Sequence, residues 1–303
     1  MAISRAQLVK ELEPGLNALF GLEYKQYENQ HAEIYTSESS DRAFEEEVML
    51  SGFANAQVKG EGSGVSFDEA QETFSARYTH ETVALAFAIT EEAIEDNLYD
   101  RIASRYTKAL ARSMSNTKQV KAVEPLINGL PTTDGFDSGD GVSLFSTAHP
   151  TIAGTYKNTL SAQADLNETS LEQSLIDIAA MTDERGLRIA ARGVKMIIPS
   201  KLQFTADRLM KSQGRTATAD NDINAIASMG MIPQGYRVNN YLTDDDAFYI
   251  ITDVPNGMKM FNRAPLTTAM EGDFDTGNVR YKARERYSFG VSDPRGIFGV
   301  EGA

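Results

Sequence analysis

The chain has 303 residues, the size of one large domain or two medium ones. It carries 43 acidic against 29 basic residues, a formal net charge of −14, and it has no cysteine and three histidines. The absence of cysteine excludes disulfides, thiolate metal sites and cysteine nucleophiles. Its longest apolar run, 83–89, is too short to cross a bilayer, and its first residues lack the apolar core of a signal peptide. The composition therefore indicates a globular protein in a reducing compartment, with no membrane partner.

Residues 1–42 predict an N-terminal arm. Apolar residues recur at helical spacing on both sides of Pro14-Gly15, which predicts one or two short helices within 1–30. Helices this short, with so few apolar residues, are not stable in isolation, and we therefore expect the arm to pack on another part of the structure. Residues 37–41 are polar and predict a solvated link.

Residues 43–89 predict an extended β-hairpin. Two runs alternate with a period of two, at 74–80 and 83–89, and a glycine-rich stretch around Gly60, Gly62 and Gly64 precedes them. The segment has little core of its own, and a two-stranded ribbon is marginal in isolation. We therefore expect the hairpin to lie on another subunit.

A long helix is predicted from residue 91 to about residue 123. Thr90 is a suitable cap, Glu91 and Glu92 suit the first turn, and apolar residues follow every four positions until Pro125. Such a helix is about 50 Å long at 1.5 Å per residue.

The rest of the chain mixes both kinds of element, so the fold class is α+β. A capping box at Thr169 and Glu172 predicts a helix that ends by Gly186, and Pro199-Ser200 predicts the start of another. Strands are predicted at 194–198, 236–241, 247–252, 258–262 and 278–291.

No motif selects a catalytic, cofactor or metal site. The glycines at 60–64 lack the helix that a phosphate loop needs, which favours a mobile loop tip. Acidic groups with calcium-site chemistry have the wrong spacing and favour polar surface loops; they are Asp134, Asp137 and Asp140, and Asp244–Asp246. No histidine pair has ligand spacing, and no serine lies in a nucleophile motif. We expect neither an enzyme nor a bound cofactor.

Two rows of cations stand out against the acidic background. One shares a helix face, about a quarter-turn from the apolar series, and the other shares one side of a strand; the rows are Arg101, Arg105, Lys108 and Arg112, and Arg280, Lys282, Arg284 and Arg286. Like charges on one face are unfavourable unless something acidic covers them. The rows therefore predict contacts with another copy's acidic segment, Glu45, Glu46 and Glu47 being a candidate. Contact with nucleic-acid phosphates and plain solvated faces are the alternatives.

A set of sequence segments resembles the major capsid proteins of tailed bacteriophages, which have the Hong Kong ninety-seven fold, and among them the Mu-type major head subunits. The segments are LYDRIASRYTKALARS (98–113), LFSTAHP (144–150), ETSLEQSLIDI (168–178), DRLMKS (207–212), TADNDIN (218–224), GYRVNNYLTD (235–244), DVPNG (253–257) and FDTGNVRYKARERYSFGVSDPRGIFG (274–299).

The resemblance implies a division of the chain into five parts. These are an N-terminal arm (1–42), an extended loop that lies over a neighbouring subunit (43–89), a spine helix (90–124), a peripheral domain (125–192 with 266–303) and an axial domain (193–265). Some relatives in this family join copies through a bond between a lysine and an asparagine, and this chain has Lys59 near the loop tip. No matching asparagine or catalytic glutamate is identified here, so we predict no cross-link.

The implied function is self-assembly into hexamers and pentamers of an icosahedral head around double-stranded DNA, in the cytoplasm of a host bacterium. About 40 residues precede the loop, so a separate scaffolding protein is expected, along with a portal and possible decoration proteins. One alternative is an encapsulin-like nanocompartment shell, which would enclose an enzyme. The other is a soluble hydrolase that uses carboxylates, which would be a compact monomer with a cleft.

Overall fold

The computed structural model describes residues 5–90, 92, 99–133, 135–215, 222–273 and 277–303, and of 5–12 and 99–102 it describes the backbone alone. The α-helices are α1 (Arg5–Gln26), α2 (Tyr99–Asn128), α3 (Glu168–Ala179), α4 (Gln203–Lys211) and α5 (Ala225–Met229). The strands are β1 (Thr36–Ser39), β2 (Phe44–Leu50), β3 (Glu72–Thr79), β4 (Glu81–Ile89), β5 (His149–Thr151), β6 (Gly154–Tyr156), β7 (Gly193–Ile198), β8 (Tyr236–Val238), β9 (Phe248–Thr252), β10 (Met258–Gly272), β11 (Val279–Val291) and β12 (Ile297–Val300).

A four-stranded sheet in the order β1-β10-β11-β4 carries α1 and α2 on one face. Tyr281 and Ala283 of β11 are buried on this face against Leu110 and Met114 of α2 and Phe20 of α1. The two helices and the sheet therefore form two layers with one shared core.

A second four-stranded sheet, in the order β12-β9-β7-β8, forms the other main body of the chain. Its core includes Leu171 and Ile178 of α3, Leu209 of α4, and Phe248 and Phe298 of the sheet. The expected boundary between axial and peripheral parts at 265/266 falls inside β10, and β12 pairs with β9. Strand β10 thus crosses the expected boundary, and β12, from the expected peripheral part, belongs to the same sheet as three strands of the expected axial part.

The hairpin is narrower than the expected segment 43–89. Strand β2 pairs with β3, and the glycine-rich tip lies between them, at 51–71. Strand β4 instead pairs with β11 throughout its length. Alternation predicts a strand but not its partner, so the expected hairpin over 43–89 includes a strand, β4, that belongs to a different sheet.

Both prolines that were expected to end or interrupt a helix lie inside one. Pro14 lies within α1 and Pro125 within α2, which runs on to Asn128. Leu16 and Phe20, beyond Pro14, and Leu126, beyond Pro125, are all buried, and this packing offsets the roughly 3 kcal/mol that a helical proline costs. The predicted helix start at residue 91 lies outside the described residues.

Three shorter predictions are also corrected. The polar segment at 36–39 is strand β1, parallel to β10, and not a link. Helix α3 is capped by Asn167, whose side chain accepts from Ser170 N, so the capping box lies two residues earlier than predicted. The same helix ends at Ala179, while Gly186 occupies a later turn with φ of 80°.

Candidate assembly surfaces

The row of cations on β11, called here the sheet row, lies on the face of the four-stranded sheet that the helices leave open. Burial alternates along the strand, with Arg280, Lys282 and Arg284 exposed and the residues between them buried. Successive side chains of one strand face are about 6.8 Å apart. Arg286 continues the row but is half-buried.

Short side chains flank the sheet row. Ala84, Ala86 and Ala88 of β4 lie opposite Arg284, Lys282 and Arg280. A depression of about 610 Å³ opens beside Ala86, Arg280 and Lys282 and gives room for side chains of a partner. Arg280 pairs with Asp273, whereas Lys282 and Arg284 form no ion pair within the described part of the chain.

The base of the hairpin covers the other end of the same face. Tyr78 of β3 contacts the ring of Phe261 and shares a hydrogen bond with Ser292, and Gly290 leaves room for the Tyr78 ring. A Cβ at Gly290 would lie 2.6 Å from Tyr78 Cε1, so only glycine fits. The chain's own hairpin is thus seated on this face by close packing.

A buried lysine joins three elements beneath the hairpin. Lys259 Nζ of β10 contacts Glu47 of β2 and lies 3.2 Å from Glu38 Oε1 of β1. Burial alone would lower the pKa of Lys259, but the hydrogen bonds to Glu47 and Glu38 outweigh it and raise that pKa. Sequence analysis missed this residue because a single lysine in an apolar strand carries no pattern.

His80 lies at the hinge between β3 and β4. Its Nε2 is 2.9 Å from Ser40 Oγ, and its Nδ1 is 2.9 Å from Ser288 Oγ. Burial, and then the charges of Arg286 and Arg263, lower the pKa of His80, although Glu45 opposes them. The ring is therefore neutral at pH 7 and acts as a hydrogen-bonding joint.

The acidic triplet predicted to meet another copy is largely engaged within its own chain. Ser40 Oγ donates to Glu45 at 2.7 Å, and Glu47 contacts Lys259 and accepts from Ser292. Glu46 alone faces outward, 3.7 Å from the exposed Arg77. Lys59 is exposed on the hairpin tip.

The row on α2, called here the helix row, lies away from the sheet. Arg105, Lys108 and Arg112 are exposed, whereas Ala103 and Met114 are buried. The series of apolar residues that predicts this helix, one every four positions, passes through Tyr106, which is 52% exposed. The buried residues of α2 in this stretch are Ala103, Thr107, Leu110, Ala111 and Met114. The row is therefore nearly opposite the contact face, not a quarter-turn from it. The side chain of Arg101 lies outside the described residues.

Large apolar side chains stand exposed on the hairpin tip. Val58 is 100% exposed and Phe67 97%, with Phe53 and Val65 also exposed. Isolated apolar residues in a glycine-rich loop were the signal that sequence analysis did not use. Several large apolar side chains left exposed on one loop are typical of a binding surface.

Asp140, one of the acidic residues with calcium-site chemistry, contacts a buried histidine. His149 Nδ1 lies 2.6 Å from Asp140 Oδ2 and Nε2 lies 2.9 Å from Asn158 Oδ1, so both ring nitrogens are occupied. Within the described residues, no three His, Asp or Glu side chains form a group that could hold a metal ion, and Asp134 lies outside them. No described helix is long and apolar enough to cross a membrane.

The model of the family described as phage capsid protein matches residues 73–300, so the chain belongs to the phage capsid protein family. None of the curated proteins matches the chain.

Solved structures share the fold at low sequence identity. The capsid of Myoviridae phage XM1 matches with a TM-score of 0.52 and 12% identity, over 89% of each chain. A chain from the structure of Microbacterium phage Oxtober96 matches with a TM-score of 0.53 and 12% identity, over 90% of this chain and 91% of that one. The virus-like particle from Pyrococcus furiosus matches with a TM-score of 0.51 and 12% identity, over 94% of this chain and 98% of that one. The fold class is confirmed as α+β, with the Hong Kong ninety-seven fold.

Proposed function

We propose that this phage capsid protein is a major capsid protein of the Mu-type major head subunit group. Copies would assemble as hexamers and pentamers into the icosahedral head of a tailed phage that encloses double-stranded DNA. Family membership and the sequence segments quoted above support the proposal. Assembly would take place in the cytoplasm of the host bacterium, with a separate scaffolding protein, a portal and possible decoration proteins as partners.

The exposed hairpin tip is the observation that carries this proposal. Phe67 and Val58 are almost wholly in solvent in the single chain, and burying a side chain of that size contributes roughly 1.5–3 kcal/mol. A second copy is the economical way to bury them, because symmetry repeats the contact at every subunit.

The parts of the chain then take the roles implied by the resemblance. Residues 1–42 would be the arm, 90–124 the spine, 125–192 with 266–303 the peripheral part, and 193–265 the axial part. Of the expected loop 43–89, the hairpin formed by β2 and β3 would lie over a neighbour, while β4 belongs to the chain's own sheet. The described hairpin and α2 supply the loop and most of the spine.

The sheet row is the proposed seat for part of a neighbouring copy. The sheet row and the base of the chain's own hairpin lie on the same face of the sheet. At the hairpin base, Lys259 already binds Glu47 of the hairpin. Lys282 and Arg284 offer the same chemistry with no acid of the described chain paired to them. On the hairpin, Glu46 and Lys59 face outward and would meet a neighbour.

The test is charge reversal followed by negative-stain electron microscopy. We expect R280E/K282E/R284E to fold, as judged by circular dichroism, and to form no shells. The charge-matched control R188E/R192E/R208E changes three other exposed cations and should still assemble. Normal shells from the first variant would contradict the interface role of the sheet row.

The content of purified shells separates the proposal from its nearest alternative. A phage head contains double-stranded DNA, whereas a nanocompartment contains an enzyme. A compact monomer with hydrolase activity would contradict both.

A further inference from the structure

The helix row has no ion-pair partner among the described residues. Arg105, Lys108 and Arg112 are spaced three and four residues apart, so they span about 10 Å along one edge of α2. All three are exposed, and none forms an ion pair within the described part of the chain. The sequence has no acidic residue from 101 to 121 to offset them.

The C-terminal half of the same helix shows the opposite arrangement. Lys118 lies 3.2 Å from Glu285, and Lys121 lies 3.0 Å from Glu81 and 3.2 Å from Glu124. The chain thus places acids beside the cations of α2 that serve its own fold. Like charges three or four residues apart destabilise a helix by a few tenths of a kcal/mol each. In the half of α2 that carries the helix row, no described acid offsets this repulsion, which indicates a partner outside the chain.

The two rows lie on opposite sides of the two-layer body. The inner side of α2 packs on the sheet through Leu110 and Met114, and the helix row faces away from that contact. The sheet row and the hairpin base lie on the far face of the sheet. In a wall one subunit thick, one row would face the interior and the other the exterior.

We propose that the helix row binds the phosphate backbone of the enclosed nucleic acid, without sequence specificity. This rests on the proposed function, in which the sheet face is taken by contacts between copies. Ala109 and Asn116 lie four residues after Arg105 and Arg112, on the same edge of α2, and both are exposed. Ala109 is small enough to let a phosphate backbone approach closely, and an asparagine amide such as that of Asn116 donates to phosphate oxygens.

The overall charge of −14 is compatible with this contact. Charges beyond about 10 Å are largely screened at 0.1 M salt, so a duplex on the row responds chiefly to local cations. Three phosphate contacts predict a slope of about −2.7 for log affinity against log salt.

The test measures binding of the purified chain to a labelled duplex of about 24 base pairs by fluorescence anisotropy, over a roughly tenfold range of salt. R105Q/K108Q/R112Q should lose about tenfold or more in affinity at low salt, and its salt slope should flatten by about 2.7. R188Q/R192Q/R208Q removes three exposed cations that lie outside both rows and should bind like the unmodified chain.

Three results would overturn the proposal. Equal losses in both variants would mean that net charge alone governs binding, and no loss in the helix variant would exclude the row. Stronger competition by poly-L-glutamate than by unlabelled duplex would identify an acidic polypeptide as the partner. Circular dichroism confirms that each variant folds. Electron microscopy of R105Q/K108Q/R112Q separates this proposal from the proposed function. If the variant still forms shells, the capsid role stands even where the DNA contact is disproved.

Discussion

At the scale of single residues, His31 is a charge-sensitive position in the core. It lies in the short helical turn Gln30–Glu33, and its ring packs edge-on against Phe289 at 5.9 Å. Burial, and then the charge of Lys118, lower the pKa of His31 to about 4, although Gln119 opposes the shift. The folded chain therefore holds this ring neutral at pH values where the unfolded chain protonates it.

This difference predicts a loss of stability in mild acid. Between about pH 6.5, the pKa in the unfolded chain, and about pH 4, the unfolded state binds a proton at His31 and the folded state does not. The free energy of unfolding therefore decreases as the pH is lowered through this range. The loss at pH 4.5 should be about 2–3 kcal/mol. Urea denaturation at pH 7 and pH 4.5 measures it. H31Q should show a smaller difference between the two pH values, not zero, because the pKa of His80 is also lowered. An unchanged difference would show that His31 is not responsible.

At the scale of elements, Lys259 holds β1, β2 and β10 together. K259M removes the ammonium group and leaves Glu38 and Glu47 without their partner. Because both carboxylates are partly exposed, we expect a cost of about 1–3 kcal/mol, below that of a fully buried pair. Hydrogen exchange should speed up in β2 and β1 and not in the β12-β9-β7-β8 sheet. K201M, which removes an exposed lysine paired with Asp246, is the control and should change neither. Unchanged exchange in β2 would contradict the joining role.

The elements also show how far the sequence predicts the structure. The pattern of the apolar residues predicts α2, β7, β9 and β11. One face is buried in α2 and along the first half of β11, which gives a period, whereas β7 and β9 are buried on both faces and appear as continuous apolar runs. It does not predict that β4 pairs with β11, since pairing depends on distant contacts. Among the candidate assembly surfaces, the sheet row could be predicted, because alternate residues of a strand lie on the same face. The contact between Glu47 and Lys259 could not be predicted, because the two residues are 212 positions apart in the sequence and meet only in the folded chain.

At the scale of the whole molecule, we expect the hairpin tip to be dispensable for folding and needed for assembly. Replacing 52–70 with a two-residue Asn-Gly turn removes the exposed apolar side chains and keeps β2 and β3. We expect a melting temperature within a few degrees of that of the unmodified chain, because the body loses little beyond the Arg185 contacts to Asp68 and Glu69. Electron microscopy should show no shells. A large drop in melting temperature, or normal shells, would contradict this division of roles.

We expect the uneven placement of charge to select the orientation in which copies associate during shell assembly. Two subunits of charge −14 repel each other when they meet at random, and this repulsion fades beyond about 10 Å in 0.1 M salt. Only an approach that brings an outward-facing acid such as Glu46 to the sheet row of another copy would replace repulsion with attraction at short range. Misaligned encounters therefore dissociate quickly, and correctly aligned ones persist. Low salt would make growth slower but more accurate, and moderate salt faster but richer in malformed particles.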